Sequence, residues 1–308
     1  LSVIIPTRDS VQNLEKLFLD SVAKNTYNIN NIELVFVADK DDSETIHFLK
    51  NNEFIKNLKH VKVIIRKQSN NITKDYYNVG AKQSTGFFVM VGADDIQITT
   101  PEYDKILEKI KQGIIQEEGH DKKYFLLVET NSDVAVGEAG ACPFPIITRD
   151  SIDLLGYFLG PEIIPGWGPD WDIHKIYDTV NKVATPRVPI SIQHRSVHSG
   201  NITEKSKGRY SKMKTVSALA PNAKHNPQVY VEMIKAIFLI IAENMEQYTP
   251  HNMHQAFTIA GTAPDTALAA NINQPQIEKC PKVFLEAIFG VKQAVHNNLK
   301  KSNEFRHM

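Results

Sequence analysis

A chain of 308 residues with 35 Lys+Arg against 35 Asp+Glu has no formal net charge, which argues against a protein whose main work is gripping nucleic acid or an acidic membrane surface. Hydrophobic residues make up 42% and charged residues 23%, the balance of a folded globular protein of about two domains rather than of a disordered or fibrous one. Two cysteines, Cys142 and Cys280, build neither a disulfide framework nor a thiolate metal site.

The longest apolar stretch of the C-terminal half, Ala236 to Ala242, falls far short of the roughly 20 residues of a membrane span. The expectation is therefore a cytoplasmic protein with no transmembrane segment, no signal peptide and no nucleic-acid partner.

In chain order, Val3-Ile4-Ile5 reads as a short buried strand ended by Pro6. Asp9 and Ser10 offer N-cap chemistry to a helix carrying Leu14, Leu17, Phe18 and Val22 at helical spacing. A second buried strand over 32–37 halts at Ala38-Asp39-Lys40-Asp41-Asp42, after which Ser43 caps a short helix. Val61 to Ile65 is a third strand, 73–83 a helix, and Phe87 to Val91 a fourth strand. Strands apolar on both faces, alternating with helices, predict a parallel sheet covered by helices. Ligands of such sheets bind at the carboxyl ends of the strands. That rule singles out Thr7-Arg8-Asp9, Asp39 to Asp42, Arg66 to Asn71, and Asp94-Asp95.

An amphipathic helix follows over 101–116, then a strand over 124–128, a proline-interrupted strand over 141–147, and a short helix over 151–158. A Gly/Pro/Trp loop, 165–169, leads into a helix from Asp170 to about Lys182, and 188–192 is a further strand. Beyond about Pro221 the strand pattern stops, and Tyr230 to Met245 and Val283 to Leu299 read as helices.

Several positions carry chemistry on more than one account. Asp94 and Asp95 follow a buried strand, where adjacent carboxylates suit a hard divalent cation that also touches substrate phosphates; a turn and helix cap explains them equally well. Asp39 is placed to accept hydrogen bonds from a ribose or base, or to serve as a plain turn carboxylate. Gly80 lies mid-helix, where glycine costs about 1 kcal/mol against alanine, and so marks a close approach of backbone or ligand. Asp170, at a helix start, is either a cap or a general base at a cleft mouth. Trp167 and Trp171 beside it form a sugar-stacking platform or core packing. His194 and His198 could be metal ligands if helical, but their context reads as a loop after a strand, where one of them is a plausible ligand, two are not expected, and a structural role is the alternative.

In this order the fragments resemble the inverting glycosyltransferases of family 2. The resemblance runs through Ser2 to Asp9, Glu33 to Asp39, Asn78-Val79-Gly80 with Gly86 and Asp94-Asp95, Pro143 to Arg149 with Leu155 to Phe158, and Gly168-Pro169-Asp170-Trp171-Asp172, covering about residues 2–200. The chain departs from the family pattern at three places. Ala38 precedes Asp39 in place of an acidic pair, Gly92 stands at the first Asp of Asp-x-Asp, and Pro169 stands at the Glu of Glu-Asp.

The resemblance implies an A-type glycosyltransferase fold, a mostly parallel α/β sheet flanked by helices. Residues 1–218 would be the catalytic domain; the helical C-terminal extension over 219–308 lies outside the resemblance and would either cover the acceptor site or make a homo-oligomer contact. The resemblance also implies a UDP-, GDP- or dTDP-sugar donor held by Pro6, Thr7, Arg8, Asp39, Asn78, Gly80 and Asp94. Mn²⁺ or Mg²⁺ would sit on Asp94 and Asp95 with His198 or His194. Asp170 would be the base for a glycan or other hydroxyl acceptor facing Trp167, Trp171 and Asp172. The competing readings are a catalytically inactive glycosyltransferase-like binding module and, with less support, a nucleotidyltransferase, which would want a Gly-rich basic loop where Thr7-Arg8-Asp9-Ser10 stands.

Overall fold

The computed structural model describes residues 1–120, 122–132, 142–160, 169–179, 182–195 and Ile240. Residues Leu1–His174 with Lys182–Ala218 form one unit, and Lys175–Asn181 with Leu219–Met308 a second. The helices expected over Tyr230 to Met245 and Val283 to Leu299 lie outside the described residues, apart from the buried, helical Ile240.

The first unit is built on two strands with no exposed residue. β1 (Ser2–Thr7) and β2 (Glu33–Asp39) are buried at every position, as strands covered on both faces must be. They pair in parallel from Ser2↔Glu33 to Thr7↔Ala38. β3 (Val61–Arg66) pairs in parallel with the far side of β2. It is only half-buried, with Lys62 and Arg66 breaking its apolar run, as suits an edge strand.

β4 (Phe88–Val91) pairs in parallel with the other side of β1. Outward from β4 come β8 (Ile146–Thr148), which is antiparallel, then β6 (Leu127–Val128) and β9 (Val183–Ala184). The order is β3-β2-β1-β4-β8-β6-β9. A second sheet, β5-β10-β7, joins β5 (Ile96–Ile98), β10 (Ile190–His194) and β7 (Thr130–Ser132).

The helices form where their sequence signals lie, with local differences. α1 covers 11–25 and winds more loosely over Leu14–Leu19. Its Ser21 Oγ accepts from Ile98 N at 3.1 Å and its Asn25 Nδ2 donates to Ile98 O at 2.7 Å, which seats it on β5. α2 (Ser43–Asn51) is capped by Asp42, whose Oδ1 accepts from Thr45 N at 3.1 Å, so Ser43 is its first residue rather than its cap. α3 (Glu53–Asn57) follows. α4 spans 73–83, the range the sequence predicts.

α5 (Tyr103–Glu118) begins after Glu102, which has a left-handed φ of 54°. α6 (Arg149–Leu155) stops at Gly156, whose φ of 78° suits a residue without a Cβ. α7 (Pro169–Thr179) starts with a proline, whose missing N–H costs nothing in a first turn. The strand expected over 124–128 is only two residues long. β5 and β7 carry too few residues to show a period in the sequence.

The amino ends of the central strands are stitched by one carboxylate. Glu33 accepts from Ser2 Oγ, from Thr85 N at 2.7 Å and from Lys62 Nζ at 2.9 Å. Burial opposes its charge, but these donors outweigh that and hold its pKa at about 2. A folded-state pKa below the unfolded value contributes stability above the unfolded pKa and loses it as pH falls through the folded one. Glu33→Gln is therefore expected to lower stability at pH 7 and to flatten the loss of stability between about pH 4.5 and 2, as read by urea unfolding across that range.

Gly80, in α4, is where that helix meets the sheet. A Cβ there would lie 2.4 Å from Ile4 Cγ2 and 3.2 Å from Val37 Cγ2. Close approach of backbone to β1, one of the two causes its mid-helix position implied, accounts for it. Gly80→Ala is expected to cost about 1–3 kcal/mol by overpacking, seen as a lower urea midpoint at unchanged m.

Candidate functional site

The strand order reverses beside β1. The chain steps outward from β1 to β2 to β3, then returns to the other side of β1 as β4. Such a reversal leaves a crevice outside the carboxyl ends of the two strands that border it. Here those ends are Thr7-Arg8 and Gly92 to Asp95.

Pro6 helps to end the pairing at this point. Gly92 N donates to Ile4 O at 2.9 Å, and a parallel ladder would return the bond from residue 6 to the Gly92 carbonyl. Proline has no N–H to give, and Tyr77 Oη donates to Gly92 O instead, at 2.8 Å. Thr7, 3% exposed, leaves its Oγ1 without a hydrogen-bond partner. An unmade bond at a buried hydroxyl costs free energy, so Thr7 Oγ1 is a polar atom facing no protein partner at the switch point.

On the β2 side the rim is an ion network. Arg8 Nη1 donates to Asp39 Oδ2 at 2.9 Å and to Asp41 Oδ1 at 2.7 Å, and Nη2 donates to Asp41 Oδ2 at 2.9 Å. Its Nε lies 3.2 Å from Asp9 Oδ2. Asp41, hydrogen-bonded by Arg8, is held below the usual carboxylate range.

Asp9 has a left-handed φ of 51°, a conformation Asp tolerates better than most residues. Its N–H donates to Asp42 Oδ2 at 2.7 Å, which pins the turn. Asp39 is wholly buried, with Tyr76 Oη on its Oδ1 and Arg8 on its Oδ2. It acts on the rim through those two residues. Tyr76 also takes Ser69 N at 3.0 Å and lies under the Arg66 guanidinium at 5.0 Å.

Asn78 faces elsewhere. Its Oδ1 accepts from Phe158 N at 2.8 Å and Leu159 N at 2.9 Å, and its Nδ2 donates to Leu159 O at 3.2 Å. Both ends of its amide hold the 158–159 backbone to α4.

On the β4 side, Asp94 and Asp95 follow the strand as expected. His194 comes to Asp95, with Nε2 at 3.1 Å from Oδ1. It ends β10 rather than lying in a loop, and Phe144 meets its ring edge-on at 5.7 Å. Arg195 N donates to Asp95 O at 3.0 Å, fixing the turn that carries the acid. Asp95 Oδ1 and His194 Nε2 face each other as a pair at the end of β4, an oxygen and a nitrogen of the types that transition-metal sites use. Among the described residues no three His, Cys, Asp or Glu side chains converge in metal-binding geometry.

Asp170 is half-buried in the first turn of α7. Trp171 and Asp172 lie on the same helix, but their side chains, together with Trp167 and His198, lie outside the described residues. One turn beyond Asp170, His174 Nε2 meets Glu129 Oε1 at 2.9 Å, and Thr185 Oγ1 bonds the other Glu129 oxygen. Sequence reasoning missed this pair. Its signal was available, since Glu129 follows the apolar run Phe125-Leu126-Leu127-Val128 as Asp39 follows Val35-Phe36-Val37.

No protein-family model matches the chain, and no curated protein matches it. Among solved structures, it aligns with S. aureus TarS 1–349 at 16% identity and a TM-score of 0.51, covering 96% of this chain and 80% of that one. TarS 1–349 in complex with UDP aligns at 15% and 0.51 over 99% and 91%, and the complex with UDP-GlcNAc at 16% and 0.50 over 96% and 81%. Against the TarS structure of greater length the chain covers 53%. These likenesses show the fold, a mostly parallel α/β sheet flanked by helices.

Tyr76→Phe keeps the ring but removes the hydroxyl that serves Asp39 and Ser69 N. It is expected to cost about 1–3 kcal/mol, the range for a buried polar group left unpaired, measured by urea unfolding.

Proposed function

We propose that the chain is a metal-dependent inverting glycosyltransferase of family 2 type, moving a sugar from a nucleotide-diphosphate donor to an acceptor hydroxyl. The observation that carries this reading is the Asp95–His194 pair at the carboxyl end of β4, one of the two strands that border the switch point. The unpartnered Thr7 Oγ1 on the other border supports it. So does the likeness in fold to a protein whose structures hold UDP and UDP-GlcNAc.

In this reading Asp95 and His194, with Asp94 beside them, would hold Mn²⁺ or Mg²⁺, whose charge would offset that of the leaving diphosphate. Thr7 and Arg8 hold the nucleotide, and Asp39 and Tyr76 orient Arg8. Asp170 takes the proton from the acceptor hydroxyl. The oxygen attacks the anomeric carbon from the face opposite the diphosphate, the bond from that carbon to the phosphate oxygen breaks, and the configuration inverts.

A second reading, a binding module without turnover, draws on Gly92 and Pro169 standing where acids are expected. Calorimetry with UDP, GDP and dTDP, with and without Mn²⁺, tests the first part of the proposal: binding that strengthens with the metal is expected, and no nucleotide binding at all overturns it. Asp170→Asn is expected to reduce transfer at least about a thousandfold, within the range for general-base catalysis, while leaving nucleotide affinity unchanged. Equal loss of both would remove Asp170 from the role of base.

A further inference from the structure

Among the described residues, the proposed reaction leaves a part-buried contact near Asp170 unused, the pair between Glu129 and His174. Glu129 sits at the carboxyl end of β6, which runs parallel to β4 because both are antiparallel to β8. It therefore belongs to the same rim of the sheet as Asp95.

Its carboxylate is held firmly. The Glu129 N–H donates to Ala184 O at 3.0 Å, fixing the backbone, and Thr185 Oγ1 holds one carboxylate oxygen. The other oxygen meets His174 Nε2 at 2.9 Å. The histidine side chain is 13% exposed and the glutamate 30%, so the contact is better shielded than an ordinary surface pair. Because both oxygens are engaged, Glu129 is poorly placed to accept a proton from substrate.

What the contact does follows from helix geometry. Residues four apart lie on one face of an α-helix, about one turn and 6 Å along it. His174 is four residues after Asp170, so the face of α7 that Glu129 grips is the face that carries the candidate base. Ile173, wholly buried beside it, resists any roll of the helix away from the sheet.

We infer that Glu129 is a positioning residue for Asp170: acting through His174, it sets the rotation and depth of α7, so that the carboxylate one turn earlier meets the rim where the donor lies. This rests on the reading of Asp170 as the base. A misplacement of about 1 Å in a reacting group is enough to cost roughly a hundredfold in rate, whereas nucleotide binding at the β1 and β2 ends does not depend on α7.

The test uses the full chain with Mn²⁺ and measures hydrolysis of UDP-GlcNAc and of GDP-mannose, in parallel with UDP affinity by calorimetry. Glu129→Ala is expected to lower kcat about a hundredfold with donor KM and UDP affinity within twofold of wild type. Glu129→Gln keeps an oxygen that accepts from His174 and is expected to bring kcat back to within about tenfold of wild type, the remaining loss reflecting the missing charge. Should Glu129→Ala not fold, His174→Gln decides, with the same separation of kcat from UDP affinity expected.

Unchanged kcat in Glu129→Ala, a Gln variant as poor as the Ala variant, or a matching fall in UDP affinity each overturns the inference. A wild type that hydrolyses neither donor, or an Asp170→Asn variant as active as wild type, overturns the reading of Asp170 instead, and both are seen without altering Glu129.

Discussion

β1 and β2 are hydrogen-bonded on both edges and covered on both faces, and this double enclosure governs where everything polar goes. A side chain that needs water or a partner has no place within such a strand, so the chain puts its charge at the strand ends. The two ends are used differently. At the amino end Glu33 gathers donors from Ser2, Lys62 and Thr85 and is saturated. At the carboxyl end Thr7 Oγ1 is left without a partner, and Arg8 is shared among Asp9, Asp39 and Asp41. One end is finished as structure, and the other keeps a buried hydroxyl without a hydrogen-bond partner.

The neutral total of charges conceals that asymmetry. Asp9, Asp39, Asp41, Asp42, Asp94 and Asp95 all follow β1, β2 or β4 at the same rim, against Arg8, Lys40 and the Arg66 of the neighbouring edge strand. A diphosphate approaching such a rim meets repulsion unless a cation stands between. Under the proposed function metal and nucleotide would arrive together, and the Asp95–His194 pair is where the cation would be received.

Much of the parallel half of the sheet was legible in the sequence. Continuous apolar runs at Val3 to Ile5 and Leu34 to Val37, each ended by polar residues, can be little other than buried strands once helices alternate with them. α4 was legible to the residue because its apolar spacing is clean and polar loops flank it. The antiparallel half was harder. β5, β6 and β7 have only two or three residues each, too few to reveal a period of two, and their existence depends on partners from distant sequence such as Ile192 and Ile98.

The same distance hid the site contacts. Asp95 was visible as an acid after a strand, but its meeting with His194 is a product of β10 pairing with β5. Asn78, which lies in a stretch that resembles a ligand-binding one, has its amide engaged by the 158–159 backbone. A motif records that a residue type belongs at a place. It does not record whether the residue serves the ligand or the scaffold.

Gly92 carries a consequence for how this rim can change. A Cβ at that position would lie 2.6 Å from Val3 Cγ1 and 2.9 Å from the Ile4 carbonyl. The second of these is backbone and cannot rotate away. A carboxylate restored there by one substitution would therefore push on the central strand before it reached any ligand. Glycine at this position is therefore kept by the packing of β1, whatever chemistry the neighbouring acids perform.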